Sequence, residues 1–261
     1  MARSCVFCDG TPVSREHVWP RWARTIWAEE GHMPHFQQVV QDDRDDVERN
    51  WRGEPCSMTV TAVCQRCNNG WMSDLERDAK PMLEAMLDGR GRLLHAGGQR
   101  TLAAWALKTA MMAGHTNGAA RHVIGAEQYE HLMERLAPSN RVVIWMASYA
   151  GDVTAMCRMY GLDADMDAGP DPNRGARDIW GTTIAFGPVV FQLFGSDIPE
   201  LVAGAQVRAP GCHQLWPYVG SFTWAPRPAL NDYGLVGFAD GLLREARRIG
   251  RASVGSTPAT Q

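Results

Sequence analysis

The chain has 261 residues, 45% of them hydrophobic and 21% charged, and a chain of this length buries a core without disulfide staples. Its 26 basic and 29 acidic residues give a net charge of −3, which excludes a generally basic nucleic-acid-binding surface and requires any phosphate contact to come from a local patch. The sequence contains no apolar run of 18 residues and no hydrophobic N-terminal signal core, so we expect a cytoplasmic protein with no membrane span.

Short elements are predicted in the first third of the chain. They are extended chain over 13–19, a Trp-rich helix over 20–30, an acidic loop around 42–46, a strand over 60–64 and a helix over 67–79. Pro81 is expected to break this last helix, because proline lacks the N–H that an interior position donates, and a further helix is expected up to Asp88. The helix over 20–30 and the acidic loop are interpreted as an insertion between His17 and Cys64.

The second half of the chain predicts helices and antiparallel strands. The expected elements are helices over 101–114 and 126–137, a hairpin of 141–149 with 153–161, a polar loop over 163–177, a second hairpin over 182–195 and a basic helix over 238–251. The Gly-rich stretch 88–100 indicates a boundary, so we expect domains over 1–90 and 91–251 followed by a tail over 252–261. The predicted fold class is α+β, with antiparallel strands in the second domain.

The cysteines of the first third form two Cys-x-x-Cys pairs, Cys5 with Cys8 and Cys64 with Cys67. Zinc takes four thiolate ligands in a tetrahedron, and each such pair presents two of them to one ion, so the spacing predicts a structural zinc site. A redox dithiol is the alternative, and it is disfavoured because neither pair is predicted to have the strand-to-helix setting of a thioredoxin-like site. Cys56 has no partner at this spacing and is expected to be a buried or free thiol.

Residues suited to hydrolysis accompany the cysteines, and the order along the chain is Cys5, Cys8, Glu16, His17, Cys64, Cys67 and Asn68. This order resembles that of the HNH endonucleases, and more narrowly their zinc-bearing treble-clef members of the endonuclease VII type. The resemblance covers about the first third of the chain. It implies a ββα-metal core, in which a β-hairpin packs against one helix and zinc joins the cysteine turn to that helix.

The same resemblance assigns roles to three residues and implies DNA as the substrate. His17 becomes the general base that activates a water molecule. Glu16 and Asn68 become the ligands of a catalytic Mg²⁺ or Mn²⁺, a hard ion that prefers carboxylate and amide oxygens. Further candidates for phosphate contacts are Arg15, Arg21 and Arg66.

Plainer interpretations of these residues stay open. Asn68 could cap the helix, with Asn69 competing for the ligand role, and Glu16 could pair with Arg15 or Arg21 at the surface. The tryptophans could stack on bases but are expected to form the apolar core of the zinc domain; they are Trp19, Trp22, Trp27 and Trp71.

Two other functions remain as hypotheses. The first is a non-catalytic treble-clef module for nucleic-acid binding or protein interaction, favoured because the middle asparagine of the HNH pattern has no clear counterpart (Asn50 is a distant candidate) and because no basic surface is evident. The second places an unrelated enzyme activity in residues 100–261. The oligomeric state is left open.

Overall fold

The computed structural model describes residues 3–29, 35–42, 46–52, 54–116, 123–162, 178–205, 209, 211–241 and 244. The helices are α1 (Ala23–Glu29), α2 (Gln65–Cys67), α3 (Ser73–Leu87), α4 (Ala96–Gly114), α5 (Ala126–Arg135), α6 (Pro199–Gly204) and a C-terminal helix over 232–241. The strands are β1 (Val13–His17), β2 (His35–Asp42), β3 (Asp46–Arg52), β4 (Thr59–Cys64), β5 (Arg92–Leu94), β6 (Val142–Tyr149), β7 (Ala155–Leu162), β8 (Ile179–Phe186), β9 (Val189–Ser196), β10 (His213–Trp216), β11 (Phe222–Trp224) and β12 (Ala229–Leu230). The predicted α+β class is confirmed.

A two-stranded ribbon and a kinked helix form the N-terminal region. Strands β1 and β4 pair antiparallel, with a register shift between Ser14 and Arg15. The β-branched residues of β4 suit a pleated strand. Strand β4 ends at Cys64 and leads directly into α2. A π-type turn over Asn68–Met72, with Gly70 outside helical geometry, then connects α2 to α3.

Helix α3 passes through Pro81 without ending, so the predicted break there is wrong. A proline inside a helix removes one backbone hydrogen bond and costs about 3 kcal/mol. Pro81 itself is exposed, whereas the apolar face of α3 is buried and compensates for this cost through Leu75, Ala79, Leu83 and Met86.

The largest sheet has the strand order β10–β6–β9–β8–β7–β2–β3, and β12 lies beside β6. Its pairs are antiparallel except for β2 with β7 and β6 with β12. The predicted hairpin over 182–195 is confirmed as β8 and β9. The predicted hairpin of 141–149 with 153–161 is wrong, because β6 pairs with β9 and β7 pairs with β8. Both strands are buried almost throughout, so no polar alternation indicated their partners.

The segment predicted as an insertion forms α1 and the hairpin β2–β3. Strand β2 lies parallel to β7, so residues of the predicted first domain extend the sheet of the predicted second one. Of the predicted acidic loop around 42–46, Asp42 ends β2 and Asp46 begins β3, and residues 43–45 lie outside the described residues. The predicted polar loop over 163–177 and the tail over 252–261 lie outside the described residues, as does most of the predicted basic helix beyond residue 241.

Helix α4 lies at the centre of the molecule. Its residues from Leu102 to Ala113 are at most 1% exposed, and it contacts α3 and α5 as well as strands β7, β8 and β10. One continuous cluster of buried side chains extends from Cys5 to Trp224. In this cluster Trp19 stacks on Phe186 of β8 with ring centres 5.8 Å apart. Among the described residues, no helix has the length and apolar character needed to cross a membrane.

We expect Gly195→Ala to lower the free energy of unfolding by about 1–3 kcal/mol, the usual range for overpacking. Gly195 pairs with Trp180 across β8 and β9, and a Cβ at position 195 would lie 2.2 Å from the Trp180 ring. The control is Gly97→Ala in the first turn of α4, where nothing lies within 4 Å of the added Cβ and stability should rise by up to about 1 kcal/mol. Urea unfolding measures the stability of both variants, and equal stabilities would contradict the close packing of Gly195 against Trp180.

Candidate functional site

The first cysteine pair lies on a tight turn held by backbone hydrogen bonds. The Cys5 N–H donates to the Gly10 carbonyl at 3.0 Å, and the Asp9 N–H donates to the Cys5 carbonyl at 2.9 Å. Asp9 adopts a left-handed backbone with φ of 54°. The Val6 N–H donates to the Ala62 carbonyl at 3.0 Å, which attaches the turn to β4.

The second cysteine pair lies where β4 ends and the helix begins. Cys64 is the last residue of β4, and Cys67 is the last residue of α2. This pair therefore does have a strand-to-helix setting, which corrects one argument made against a redox dithiol. The short distances between the sulfurs of the two pairs favour a metal site instead.

All four cysteine sulfurs converge on one point. The Sγ atoms of Cys5, Cys8, Cys64 and Cys67 lie within 4.8 Å of one another, and Cys8 Sγ is 3.6 Å from Cys64 Sγ and 3.5 Å from Cys67 Sγ. Zinc bound to four thiolates at about 2.3 Å sets sulfurs roughly 3.8 Å apart, whereas a disulfide needs about 2.05 Å. The predicted cluster is confirmed, and its donor set fits a metal such as zinc.

The surroundings of the sulfurs differ in polarity. The backbone N–H of Gly10 hydrogen-bonds the Cys8 sulfur and lowers the pKa of that thiol to about 7. Burial raises the pKa of Cys5 and of Cys67. A metal ion binds the thiolate form of cysteine. The Cys8 thiol loses its proton more readily than the thiols of Cys5 and Cys67.

A cleft of about 1090 Å³ opens beside the cysteine cluster. The predicted residues Glu16, His17 and Asn68 all line it. Neighbouring residues of a regular strand point to opposite faces, but β1 ends at His17. Its terminal position lets His17 line the same cleft as Glu16. The other lining residues are Arg15, Arg21, Trp22, Arg24, Glu54, Cys56, Ser57, Thr59, Asn69, Met72, Ser73 and Glu76.

The Asn68 side chain connects the helical side of the cleft to β1. Its Nδ2 donates to the Arg15 carbonyl at 2.9 Å and to Ser14 Oγ at 3.3 Å. These contacts differ from the predicted alternative of a helix cap, in which the side chain would accept from helix N–H groups. Because the amide nitrogen is the bonded end, the carbonyl oxygen Oδ1 remains suited to a ligand. Asn69 also lines the cleft and is exposed.

Glu16 pairs with a buried lysine and not with the arginines considered from the sequence. The Lys108 Nζ lies 3.5 Å from Glu16 Oε1 and 3.8 Å from Glu76 Oε2. Lys108 is 1% exposed and Glu16 is 7% exposed. Burial raises the pKa of Glu16, and the positive charge of Lys108 opposes that shift.

Two residues around the cleft, Lys108 and Glu76, were not predicted from the sequence. Lys108 is the only charged residue of the apolar helix predicted over 101–114, and a buried charge requires a partner. The sequence therefore indicated that Lys108 has an acidic partner, but it did not identify which carboxylate that partner is. Glu76 had no comparable signal, because a glutamate in a helix is most often exposed.

The arginines near the cleft occupy different positions. Arg15 and Arg21 line the cleft and are exposed, whereas Arg24 pairs with Glu54 at 2.6 Å. Arg66 does not line the cleft. Its guanidinium donates a hydrogen bond to the Cys8 sulfur, and this hydrogen bond raises the pKa of Arg66. Arg15 and Arg21 are therefore the predicted phosphate contacts that the cleft includes.

Cys56 also lines the cleft but lies outside the four-sulfur cluster. Its Sγ donates to the Pro20 carbonyl at 3.1 Å, and burial raises the pKa of the thiol to about 12. This matches the expectation of a buried thiol. The core role expected for Trp19 is confirmed by its complete burial, while Trp22 and Trp71 are half-buried against the same core. The Trp27 side chain lies outside the described residues.

We expect Cys64→Ser to reduce the metal content of the purified protein from one zinc per chain to well below one. Removing one of four ligands weakens a structural zinc site, and the melting temperature should fall with it. The matched control is Cys56→Ser, which removes a buried thiol outside the cluster and should keep one zinc per chain. Elemental analysis measures the content, and full zinc in the Cys64 variant would contradict the shared site.

We expect Lys108→Met to lower the free energy of unfolding by about 3 kcal/mol, because it leaves the buried Glu16 carboxylate without its counter-charge. Lys80→Met is the matched control, since Lys80 is the other lysine of the chain and its side chain is 41% exposed. Lys80 pairs with Glu84 and lies over the Trp22 ring, and loss of these solvent-accessible contacts should cost about 1 kcal/mol. Adding Glu16→Gln to Lys108→Met should recover part of the loss. Urea unfolding compares these variants, and equal costs for the two lysines would contradict a buried ion pair.

Compared with known proteins, this chain matches no family model, no curated protein and no solved structure.

Proposed function

We propose that this protein is a metal-dependent endonuclease of the HNH type that hydrolyses DNA phosphodiester bonds. One observation carries the proposal: Glu16 and His17 from β1 and Asn68 from the start of the helix line a single cleft, and this cleft lies beside four convergent cysteine sulfurs. The residues come from two segments far apart in the chain, so their presence in one cleft is a property of the fold.

The N-terminal region supports this proposal through its architecture. An antiparallel ribbon of β1 and β4 followed directly by a helix is the arrangement expected of a treble-clef ββα-metal domain. In that domain the cysteine turn and the start of the helix share one zinc ion. A zinc ion with four cysteine ligands has no open position, so its role is structural.

The donors in the cleft suit a hard divalent ion such as Mg²⁺ or Mn²⁺. Lys108 contacts Oε1 of Glu16, and Asn68 contacts β1 through its amide nitrogen, so Glu16 Oε2 and Asn68 Oδ1 are the oxygens suited to the ion. When bound there, the ion would neutralise the charge that develops on the phosphate oxygens.

His17 is the general base of the proposed reaction. It is half-buried at the end of β1 on the cleft wall, and a neutral imidazole can accept a proton from water. The water oxygen then forms a bond to phosphorus, while the bond from phosphorus to the 3′-oxygen breaks. Solvent water returns a proton to the leaving oxygen.

Arg15 and Arg21 hold the DNA backbone in this proposal. Both are exposed and line the cleft, where guanidinium groups bind phosphate oxygens in a bidentate way. A local pair of arginines also reconciles DNA binding with the net charge of −3.

A second candidate is a non-catalytic zinc module for nucleic-acid binding or interaction. One observation favours it: the Glu16 carboxylate already has a buried counter-ion in Lys108, which reduces the negative charge that remains for a divalent ion. In that case the cleft would bind nucleic acid without cleaving it, and Mg²⁺ or Mn²⁺ would not affect the binding.

We expect His17→Ala to reduce divalent-dependent nicking of supercoiled plasmid DNA by at least a hundredfold, since general-base catalysis contributes about 10²–10⁴-fold. Zinc content should stay at one per chain, because His17 is not a cysteine-cluster ligand. Gel electrophoresis after incubation with Mg²⁺ or Mn²⁺ measures the nicked product.

The control for this experiment is His95→Ala, which removes an exposed histidine outside the cleft and should keep the parent rate. Parent protein that carries zinc but nicks no DNA with either ion would favour the non-catalytic module. Parent activity that survives in His17→Ala would remove the histidine from the mechanism.

A further inference from the structure

We infer that Glu76 is a second carboxylate of the catalytic ion site, beside Glu16, and this inference rests on the proposed endonuclease function. Glu76 belongs to α3 and lines the same cleft as Glu16, His17 and Asn68. The resemblance to HNH endonucleases assigned it no role. Its side chain is 29% exposed, which leaves it accessible to a ligand from the cleft.

Lys108 brings the two carboxylates together. Its Nζ lies 3.5 Å from Glu16 Oε1 and 3.8 Å from Glu76 Oε2, so both carboxylates lie within ion-pair distance of one nitrogen. Two carboxylates this close would repel each other without a cation between them. The ammonium group therefore allows β1 and α3 to place two acidic side chains on one wall.

The lysine approaches this pair from the protein interior. Lys108 is 1% exposed and is not among the residues that line the cleft. Among the described residues it is also the only ion-pair partner of either carboxylate. One ammonium and two carboxylates leave a net negative charge, and the second oxygen of each carboxylate is not held by the lysine.

A second carboxylate adds a third protein oxygen to the donor set of the divalent ion. Glu16 and Asn68 alone supply two oxygen ligands, whereas Mg²⁺ prefers six oxygens and keeps several for water and phosphate. Glu76 follows Asn68 by slightly more than two helical turns, and the π-type turn with its non-helical Gly70 lies between them. Both side chains reach the same cleft across this kink.

The test is the affinity of the zinc-loaded full chain for Mn²⁺, measured by the electron paramagnetic resonance signal of free Mn²⁺. We expect Glu76→Gln to weaken Mn²⁺ binding at least tenfold, and the Mn²⁺ concentration for half-maximal DNA nicking should rise by a similar factor. The matched control is Glu84→Gln, which removes a glutamate of the same helix that pairs with the half-buried Lys80 and does not line the cleft. It should keep the parent affinity.

A second variant separates ion binding from folding. Glu76→Asp keeps the negative charge facing Lys108 but shortens the side chain by one methylene, so it should keep the parent melting temperature and zinc content while still weakening Mn²⁺ binding. Parent-like Mn²⁺ affinity in both Glu76 variants would overturn the inference and leave Glu76 as a structural partner of Lys108.

Failure of the proposed function gives a different result. Parent protein that neither binds Mn²⁺ in a Glu16-dependent manner nor nicks DNA would remove the ion site altogether, and the inference with it. Parent protein that nicks DNA with Mn²⁺ and loses this activity in His17→Ala, but is unaffected at Glu76, would overturn the inference alone.

Discussion

The N-terminal region depends on the convergence of four cysteine sulfurs. They come from a tight turn at the start of the chain and from the junction of β4 with α2. A metal ion that binds them fixes this turn against the start of the helix, and β1 is paired to β4 in the same unit. Because β1 pairs with β4 and β4 leads directly into α2, Glu16, His17 and Asn68 are held around one cleft.

The second constraint on the cleft is the buried lysine of α4. This helix lies between the N-terminal region and the large sheet, and Lys108 extends from it to Glu16 of β1 and Glu76 of α3. Residues beyond the cysteine cluster therefore help to build the wall of the cleft. The stacking of Trp19 on Phe186 supports the same conclusion, since it joins the end of β1 to a central strand of the sheet.

The sequence predicted the local features of the site and missed those that join distant segments. Two Cys-x-x-Cys pairs have a spacing that metal geometry explains, so the cysteine cluster could be predicted. The meeting of Lys108 with Glu16 depends on tertiary packing, which no local pattern encodes. The partners of β6 and β7 were missed for a similar reason, because strands buried on both faces show no alternation. The continuity of α3 through Pro81 likewise depends on burial of the opposite face of the helix.

The charges of the cleft suggest an order for the proposed reaction. Glu16 and Glu76 with Lys108 leave a net negative wall, and a negative charge about 4 Å from another near a protein surface is repelled by about 4 kcal/mol. A DNA phosphate would therefore be repelled from this wall, although Arg15 and Arg21 would attract it to the cleft as a whole. A divalent ion bound at this wall would turn the repulsion of the phosphate into an attraction. The proposed nuclease then has a physical reason to need the ion for placement of the phosphate as well as for the chemical step.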